Sequence, residues 1–198
     1  DSCGKSIGKR TFYSIGGGKI IQEGSNEGLD IKTVYPHRNL TDVLNYLDEN
    51  GLTFWEYVQE FEGHDIWDYL MEVLRVMKQS VEEGLNEEGV LPGGLRLRRK
   101  AMSYYTKARS YKPSLRGRCL VQSYALAVSE QNAAGGLIVT APTCGSCGVV
   151  PAVLYHLNTE HEFTDKQIIR SLATAGLIGT VIKQNASISG AEVGCQGE

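Results

Sequence analysis

The most constraining feature of the sequence is a row of apolar residues that recur at spacings of three and four between residues 64 and 85. This spacing puts the side chains on one face of an α-helix. The row, called here the apolar stripe, consists of Trp67, Leu70, Met71, Leu74, Met77, Val81 and Leu85. We predict that the stripe is core and not a cofactor site, because such rows are far more often packing.

Helical patterns continue through most of the chain after residue 41, which predicts a mainly α fold. Thr41 and Thr53 are candidate N-caps because a threonine hydroxyl can accept a hydrogen bond from the first helical turn. The stretch 137–140 is β-like but too short to imply a sheet. Besides 64–85, the predicted helices cover residues 42–48, 54–61, 96–111, 117–134, 145–157 and 165–182.

The first 35 residues differ from the rest of the chain. Residues 11–15 and 19–22 are short β-prone runs joined by three glycines, which predicts a hairpin. A single hairpin is marginal in water, so we expect it to be the last piece of a sheet-containing domain, followed by a linker over residues 24–40. The chain begins with Asp1 and stops within a patterned segment, so we expect a fragment cut at both ends.

The composition is that of a globular protein, with 198 residues, 41% hydrophobic, 22% charged and a net charge of -3. No membrane span is expected, since the most apolar stretches fall well short of the roughly 20 residues that a bilayer requires. No signal peptide is visible. The five cysteines are odd in number and irregularly spaced, which disfavours a secreted disulfide framework and predicts a cytoplasmic protein.

Charge is divided along the chain: residues 42–88 hold 13 acids and two bases, whereas residues 91–129 hold nine Lys or Arg and no acid. Tyrosines interleave with the basic residues, a composition that nucleic-acid-binding surfaces share. We expect instead a solvated or internally paired face and no nucleic-acid partner, because the acidic segment offers partners within the chain. Arg98 directly follows a glycine turn and could reach an anionic ligand. A helical interaction module that uses this basic face remains a further possibility.

Residues 140–148 join the β-like run to a predicted helix and form the first group of candidate site residues. Their small side chains let backbone N–H groups at a helix start face a carboxylate or phosphate, and Thr143 and Ser146 add hydroxyls. The alternative is an ordinary N-capped turn. Cys144 and Cys147 form a C-x-x-C that is typical of thiol-disulfide redox sites, but the chain lacks the alternating strands and helices of that fold.

A second group of polar residues follows the apolar helix predicted over residues 171–182. We expect this helix to be buried, with Gly176 and Gly179 allowing close approach of neighbours. Polar groups at its end must then satisfy one another or line a ligand pocket, and their density favours the pocket. They include Lys183, Asn185, Ser187, Ser189, Glu192 and Cys195.

Several runs resemble the iron-sulfur-dependent bacterial L-serine dehydratases. The most specific is NASISGAEVGCQGE at residues 185–198, supported by residues 91–95, 132–136, 140–143 and 150–153. By this resemblance, residues 1–35 are the end of a smaller α/β (beta) domain with the start of a linker. Residues 36–198 are then the N-terminal part of a helical catalytic (alpha) domain, which is incomplete here.

The resemblance implies a [4Fe–4S] cluster held by three cysteines with one iron open, in a cytoplasmic homo-oligomer that acts on L-serine. Cys195 matches the first cluster ligand, and the other two belong to motifs beyond Glu198. Many family members carry Asn and Ala where Cys144 and Ser146 stand, which implies that Cys144 is not a ligand. A cytosolic thiol-disulfide redox module that uses Cys144 and Cys147 is the alternative function.

The implied chemistry is elimination of water from L-serine, which yields pyruvate and ammonia. An open iron would act as the Lewis acid for the hydroxyl group that leaves. Ser187, Ser189 or a desolvated Lys183 are the candidate bases for the α-proton. Thr143, Ser146 and the helix start would hold the substrate carboxylate, and Asn185 would orient substrate or cluster.

The two groups of polar residues are expected to line one cavity. The helices predicted over residues 145–157 and 165–182 should form an antiparallel pair, which brings the start of the first and the end of the second to the same end. The turn at residues 143–147 and the run 185–195 would then meet.

Overall fold

The structure, a computed structural model, describes residues 8–14, 20–24, 33–140 and 142–186. Within these ranges an antiparallel hairpin precedes seven α-helices, which confirms the mainly α fold and the predicted hairpin. None of the helices in the described ranges is long and apolar enough to cross a membrane. The elements are β1 (Phe12–Ser14), β2 (Ile20–Gln22), α1 (Leu40–Asn50), α2 (Phe54–Glu62), α3 (Ile66–Asn86), α4 (Ala101–Ser110), α5 (Pro113–Ala134), α6 (Val149–Glu160) and α7 (Asp165–Asn185).

Side-chain caps mark where α1 and α2 begin. Thr53 starts α2 in a capping box, with its backbone N–H donating to Glu56 Oε2 at 2.8 Å, as predicted. The predicted cap Thr41 is wrong. Asn39 caps α1 instead, because its side-chain oxygen accepts from the Asp42 N–H at 2.9 Å and places Thr41 inside the first turn.

The helix predicted over residues 96–111 begins late, because residues 89–99 fold back on themselves. In this segment, called the 89–99 turn, Leu91 N–H donates to the Leu97 carbonyl at 2.7 Å and Arg99 N–H to the Gly89 carbonyl at 2.9 Å. Gly93 supports the reversal with φ of 109°, a conformation that favours glycine.

The start of α4 is set by a carboxylate from another helix. Glu130 of α5 is buried, and its Oε1 accepts from the N–H groups of Lys100 at 2.6 Å and Ala101 at 3.2 Å. No side chain at the N-cap position itself caps α4. Glu130 therefore satisfies two of the N–H groups that a helix start leaves without a partner.

Helix α3 joins two hydrophobic clusters. Its first half contributes Leu70, Leu74 and Met77 to a cluster with α1, α2 and α7, and its second half contributes Val81 and Leu85 to a cluster with α4 and α5. These five residues confirm the apolar stripe as core. The prediction is wrong for Met71, whose surface is 40% exposed. Met71 lies one position beyond Leu70 and therefore faces another direction.

Helices α3 and α5 approach closely at Gly84. A Cβ atom at this position would lie 2.3 Å from the Ala127 carbonyl oxygen and 2.6 Å from its carbonyl carbon. Both atoms belong to the backbone of α5, so they cannot move aside as a flexible side chain could. The crossing of the two helices therefore requires glycine at position 84.

Helix α7 is buried on one face only, which corrects the prediction of a wholly buried helix. Leu172, Ala173 and Leu177 are buried in the first cluster. Gly176 is exposed, and no atom would lie within 4 Å of a Cβ placed there. Gly179 does approach a neighbour, since its Cβ would lie 3.8 Å from Pro142.

We expect a pH-dependent contribution to stability from His156 on α6. Burial lowers the pKa of His156, and the imidazole of His161, with ring centroids 5.2 Å apart, lowers it further. The unfolded chain therefore binds the proton more tightly, so this stability is present above the ordinary histidine pKa of about 6.5 and is lost as the pH falls through the lower folded pKa. Urea unfolding across this pH range measures the loss.

His156→Gln should flatten that pH profile, whereas His64→Gln, at an exposed histidine, should leave it unchanged. The same pH dependence in wild type and His156→Gln would contradict the assignment.

Candidate active-site groove

An open groove of about 710 Å³ lies between α3, residues 139–150 and α7. Most of its lining is apolar, and its polar groups are the hydroxyls of Tyr69, Thr140, Ser146 and Thr180 and the ammonium of Lys183. The lining residues are Tyr69, Leu70, Val73, Met77, Val139, Thr140, Pro142, Ser146, Val149, Val150, Leu172, Ala175, Gly176, Ile178, Gly179, Thr180, Ile182 and Lys183. The exposed face of α7 therefore forms one wall.

The groove brings together residues from both predicted groups, among them Ser146 from the first and Lys183 from the second. Ser146 comes from the turn before α6, and Lys183 comes from the last turn of α7. The start of α6, at Val149 and Val150, lines the same groove, as the predicted antiparallel pair requires. The groove thus joins the predicted turn to the last turn of α7, while the predicted meeting of this turn with the run 185–195 stays a prediction. Ser187, Ser189 and Cys195 lie outside the described residues.

The turn over residues 143–148 is held by its own backbone and by α5. Cys147 N–H donates to the Cys144 carbonyl at 3.4 Å, and Val149 N–H donates to the Ser146 carbonyl at 3.0 Å. A Cβ at Gly148 would lie 2.6 Å from the Ala125 carbonyl oxygen, so the chain passes close to α5. Helix α6 consequently begins at Val149, later than the predicted residue 145.

Asn132, which carries no predicted role, anchors this turn. The Asn132 side-chain nitrogen donates to the Cys144 carbonyl at 3.2 Å and so connects the end of α5 to the turn. The available signal was its position at the head of the run 132–136, which contributes to the family resemblance.

Three other predicted site residues do not line the groove. Thr143 is buried, with 8% of its surface exposed. Asn185 is exposed, and its amide nitrogen donates to the carbonyls of Arg38 and Val181. Arg98 is exposed on the 89–99 turn. Lys183 lines the groove and is itself exposed.

The basic residues of 91–129 are mostly solvated, with limited internal pairing. Within the described residues, Arg99 pairs with Glu87 at 2.6 Å and Arg116 with Glu160 at 3.7 Å, while the other basic residues of this segment form no ion pair. Only the first of these two pairs joins the basic segment to the acidic segment 42–88.

Comparison with known proteins decides the family. The family model described as serine dehydratase alpha chain matches residues 26–198. The chain belongs to this family. It is 42% identical to the L-serine dehydratase of Haemophilus influenzae over 203 residues, which cover 96% of the chain and 45% of that relative. It is 41% identical to the L-serine dehydratase of Streptomyces coelicolor over 210 residues, which cover 100% of the chain and 46% of that relative.

A further relative, L-serine dehydratase 2 of Escherichia coli, is 39% identical over 207 residues, with 98% of the chain and 46% of the relative covered. The chain thus spans about half the length of these curated relatives.

The described part of the chain does not by itself form a cluster site. Among those residues, no three His, Cys, Asp or Glu side chains are grouped so that they could hold a metal ion. The described cysteines are Cys119, Cys144 and Cys147, and all three are free thiols. The predicted ligand Cys195 belongs to the run outside the described residues.

The C-x-x-C of this chain is poorly suited to thiol chemistry at its second position. Cys147 is buried whereas Cys144 is exposed. Burial raises the pKa of Cys147, with a smaller contribution from Cys144, and so disfavours the reactive thiolate. Cys147 instead packs in the cluster with α4 and α5.

Proposed function

We propose that this chain acts in an L-serine dehydratase, which eliminates water from L-serine to give pyruvate and ammonia. The observation that carries the proposal is the family match over residues 26–198. The groove supports it, because residues from both predicted groups line one space. The proposal includes a cytoplasmic location and a homo-oligomer, the first supported by the odd, irregularly spaced cysteines.

The substrate carboxylate is assigned to the end of the groove at α6. Ser146 offers a hydroxyl, and the start of α6 adds the positive end of the helix dipole. The Lys183 ammonium shares the groove and suits an ionic contact with the same carboxylate. Lys183 is exposed in the described part of the chain. A lysine acts as a base when its ammonium group is desolvated, and the described residues do not bury it.

Removal of the α-proton is therefore assigned to Ser187 or Ser189, whose side-chain oxygen would accept it as an activated, deprotonated hydroxyl. Removal of the α-proton leaves the electron pair of the Cα–H bond, which forms the Cα–Cβ double bond. The Cβ–O bond breaks at the same time, and hydroxide leaves. The resulting aminoacrylate takes a proton at Cβ to become the imine, and water hydrolyses the imine to pyruvate and ammonia. A [4Fe–4S] cluster with Cys195 among its ligands would supply the Lewis acid for the departing hydroxyl.

Three further predicted residues are assigned supporting roles in binding or orienting the reactants. Thr143, the buried first residue of the turn, would help to hold the carboxylate through the turn. Asn185 would orient the reacting groups from the end of α7. Arg98 would reach an anionic group from the 89–99 turn.

The test is turnover by the full-length protein purified without oxygen. It should release pyruvate from L-serine, and air should remove both its activity and its broad visible absorbance together. A protein that turns over L-serine with bound pyridoxal phosphate, or that stays fully active after air has bleached it, would refute the cluster-dependent reaction. Absence of pyruvate from the anaerobic, coloured protein would refute serine as the substrate.

Cys144→Ser should change kcat/KM by less than about twofold, because an exposed thiol beside the groove is not among the groups assigned to the reaction. The thiol-disulfide alternative instead requires this variant to be inactive. Steady-state kinetics decide between them, with Ser110→Ala as a control at an exposed hydroxyl on α4.

A further inference from the structure

Asn185, the last residue of α7, makes two hydrogen bonds through one nitrogen. Its amide Nδ2 donates to the Arg38 carbonyl at 2.9 Å and to the Val181 carbonyl at 2.8 Å. An amide nitrogen carries two hydrogens, so these bonds use its full donor capacity. The bond to Arg38 joins positions 147 apart in the sequence, whereas the bond to Val181 stays within the helix.

The partner carbonyl belongs to a segment that is itself fixed. We call residues 33–39 the anchor segment. Its Tyr35 is buried and stacks on Tyr57 with ring centroids 5.7 Å apart. His37 Nδ1 lies 2.8 Å from the hydroxyl of the same Tyr57. Asn39 caps α1, so Arg38 is held by neighbours on both sides.

The other end of the contact is the helical turn that reaches the groove. Ile182 and Lys183 line the groove, and the Ala186 N–H donates to the Ile182 carbonyl at 2.8 Å where the helix ends. Residue 186 leads directly into the run that carries Ser187, Ser189 and Cys195. Asn185 thus sits between the anchor segment and the point where the chain leaves α7.

We propose that Asn185 is a positioning residue that ties the anchor segment to the last turn of α7, and that it acts on the reaction through this tie without touching the substrate. Its donors are already occupied by main-chain oxygens, and it does not line the groove. The kinetic part of this inference rests on the proposed function, whereas the structural part does not.

The test compares Asn185→Asp with Gln184→Glu in the full-length protein. Both changes replace an amide by a carboxylate, at adjacent positions. Gln184 is exposed and its side chain makes no hydrogen bond to another described residue. In Asn185→Asp, carboxylate oxygens face two carbonyl oxygens. Asn185→Ser is the milder variant, since its hydroxyl can still reach the carbonyl four residues earlier, as Thr180 does at 2.9 Å, but is too short to reach Arg38.

Amide hydrogen exchange of the peptide covering residues 33–39 is the first measurement. We expect exchange about tenfold faster in Asn185→Asp and Asn185→Ser, because a net stabilising hydrogen bond is lost, and unchanged exchange in Gln184→Glu. If amide exchange in residues 33–39 is as slow in both Asn185 variants as in wild type, Asn185 does not hold the anchor segment and the proposal is wrong.

Steady-state kinetics with L-serine are the second measurement. We expect kcat to fall about tenfold in Asn185→Ser while KM changes much less, as for an effect on the reacting geometry. A rise in KM at constant kcat with normal exchange would overturn the proposal in favour of substrate contact. If the wild-type protein does not turn over L-serine, the proposed function fails, and exchange alone decides the role of Asn185.

Discussion

Gly84→Ala should lower the free energy of unfolding by about 3 kcal/mol, at the upper end of the usual cost of overpacking a core. The new methyl group would meet the Ala127 carbonyl at 2.3 Å, and only a shift of α3 relative to α5 can relieve that contact. The helix propensity that alanine adds, about 1 kcal/mol, does not offset the clash. For a protein of this size, the melting temperature should fall by roughly 6–12 °C. Urea unfolding monitored by circular dichroism measures the change.

The matched control is Gly176→Ala on α7, where a Cβ would meet no atom within 4 Å. There the propensity gain acts alone, so the same substitution should stabilise the protein by up to about 1 kcal/mol. Opposite signs for the two glycines are the expected result. Equal effects would show that helix α3 does not cross α5 as closely as described.

Lys183→Gln should lower kcat/KM for L-serine about 30-fold, which corresponds to about 2 kcal/mol for the loss of a charged hydrogen bond to the carboxylate. The effect should fall mainly on KM, because the contact is made in both the ground state and the transition state. The Lys183 side chain lines the groove but is exposed, so the folded chain should keep its stability. Pyruvate release at varied L-serine concentrations gives both constants.

Lys166→Gln is the matched control, because Lys166 is exposed in the first turn of the same helix, away from the groove. It should leave both constants within about twofold of wild type. A fall in kcat of about 100-fold or more in Lys183→Gln, with KM unchanged, would instead identify Lys183 as the general base.

Local sequence signals were sufficient to predict the start of a helix where the capping residues lie within its own first turn. Thr53 and Glu56 form the capping box that starts α2, and the start of α7 at Asp165 follows a box between Thr164 and Gln167. Each pair lies within one helical turn, so spacing alone reveals it.

The approach of the turn before α6 to the end of α7 could be predicted, because an antiparallel helix pair returns the chain to its starting end. Ser146 and Lys183 lie in one groove for this reason. The sequence could not show that the hydrogen-bonding capacity of Asn185 is directed to Arg38, because that contact spans 147 positions and depends on how the anchor segment packs. Nor could it show that one face of α7 stays exposed, since apolar residues occupy both faces.

The carboxylate of Glu130 at the start of α4 has a consequence for the order in which the chain folds. Helix α4 has 10 residues and no acidic residue in its first turn. Isolated helices shorter than about 12–15 residues are marginal in water, so α4 cannot persist before α5 is formed and docked beside it. During synthesis, residues 101–110 leave the ribosome well before Glu130 does. We therefore expect residues 101–110 to become stably helical only after α5, which is translated later, has formed and docked beside them.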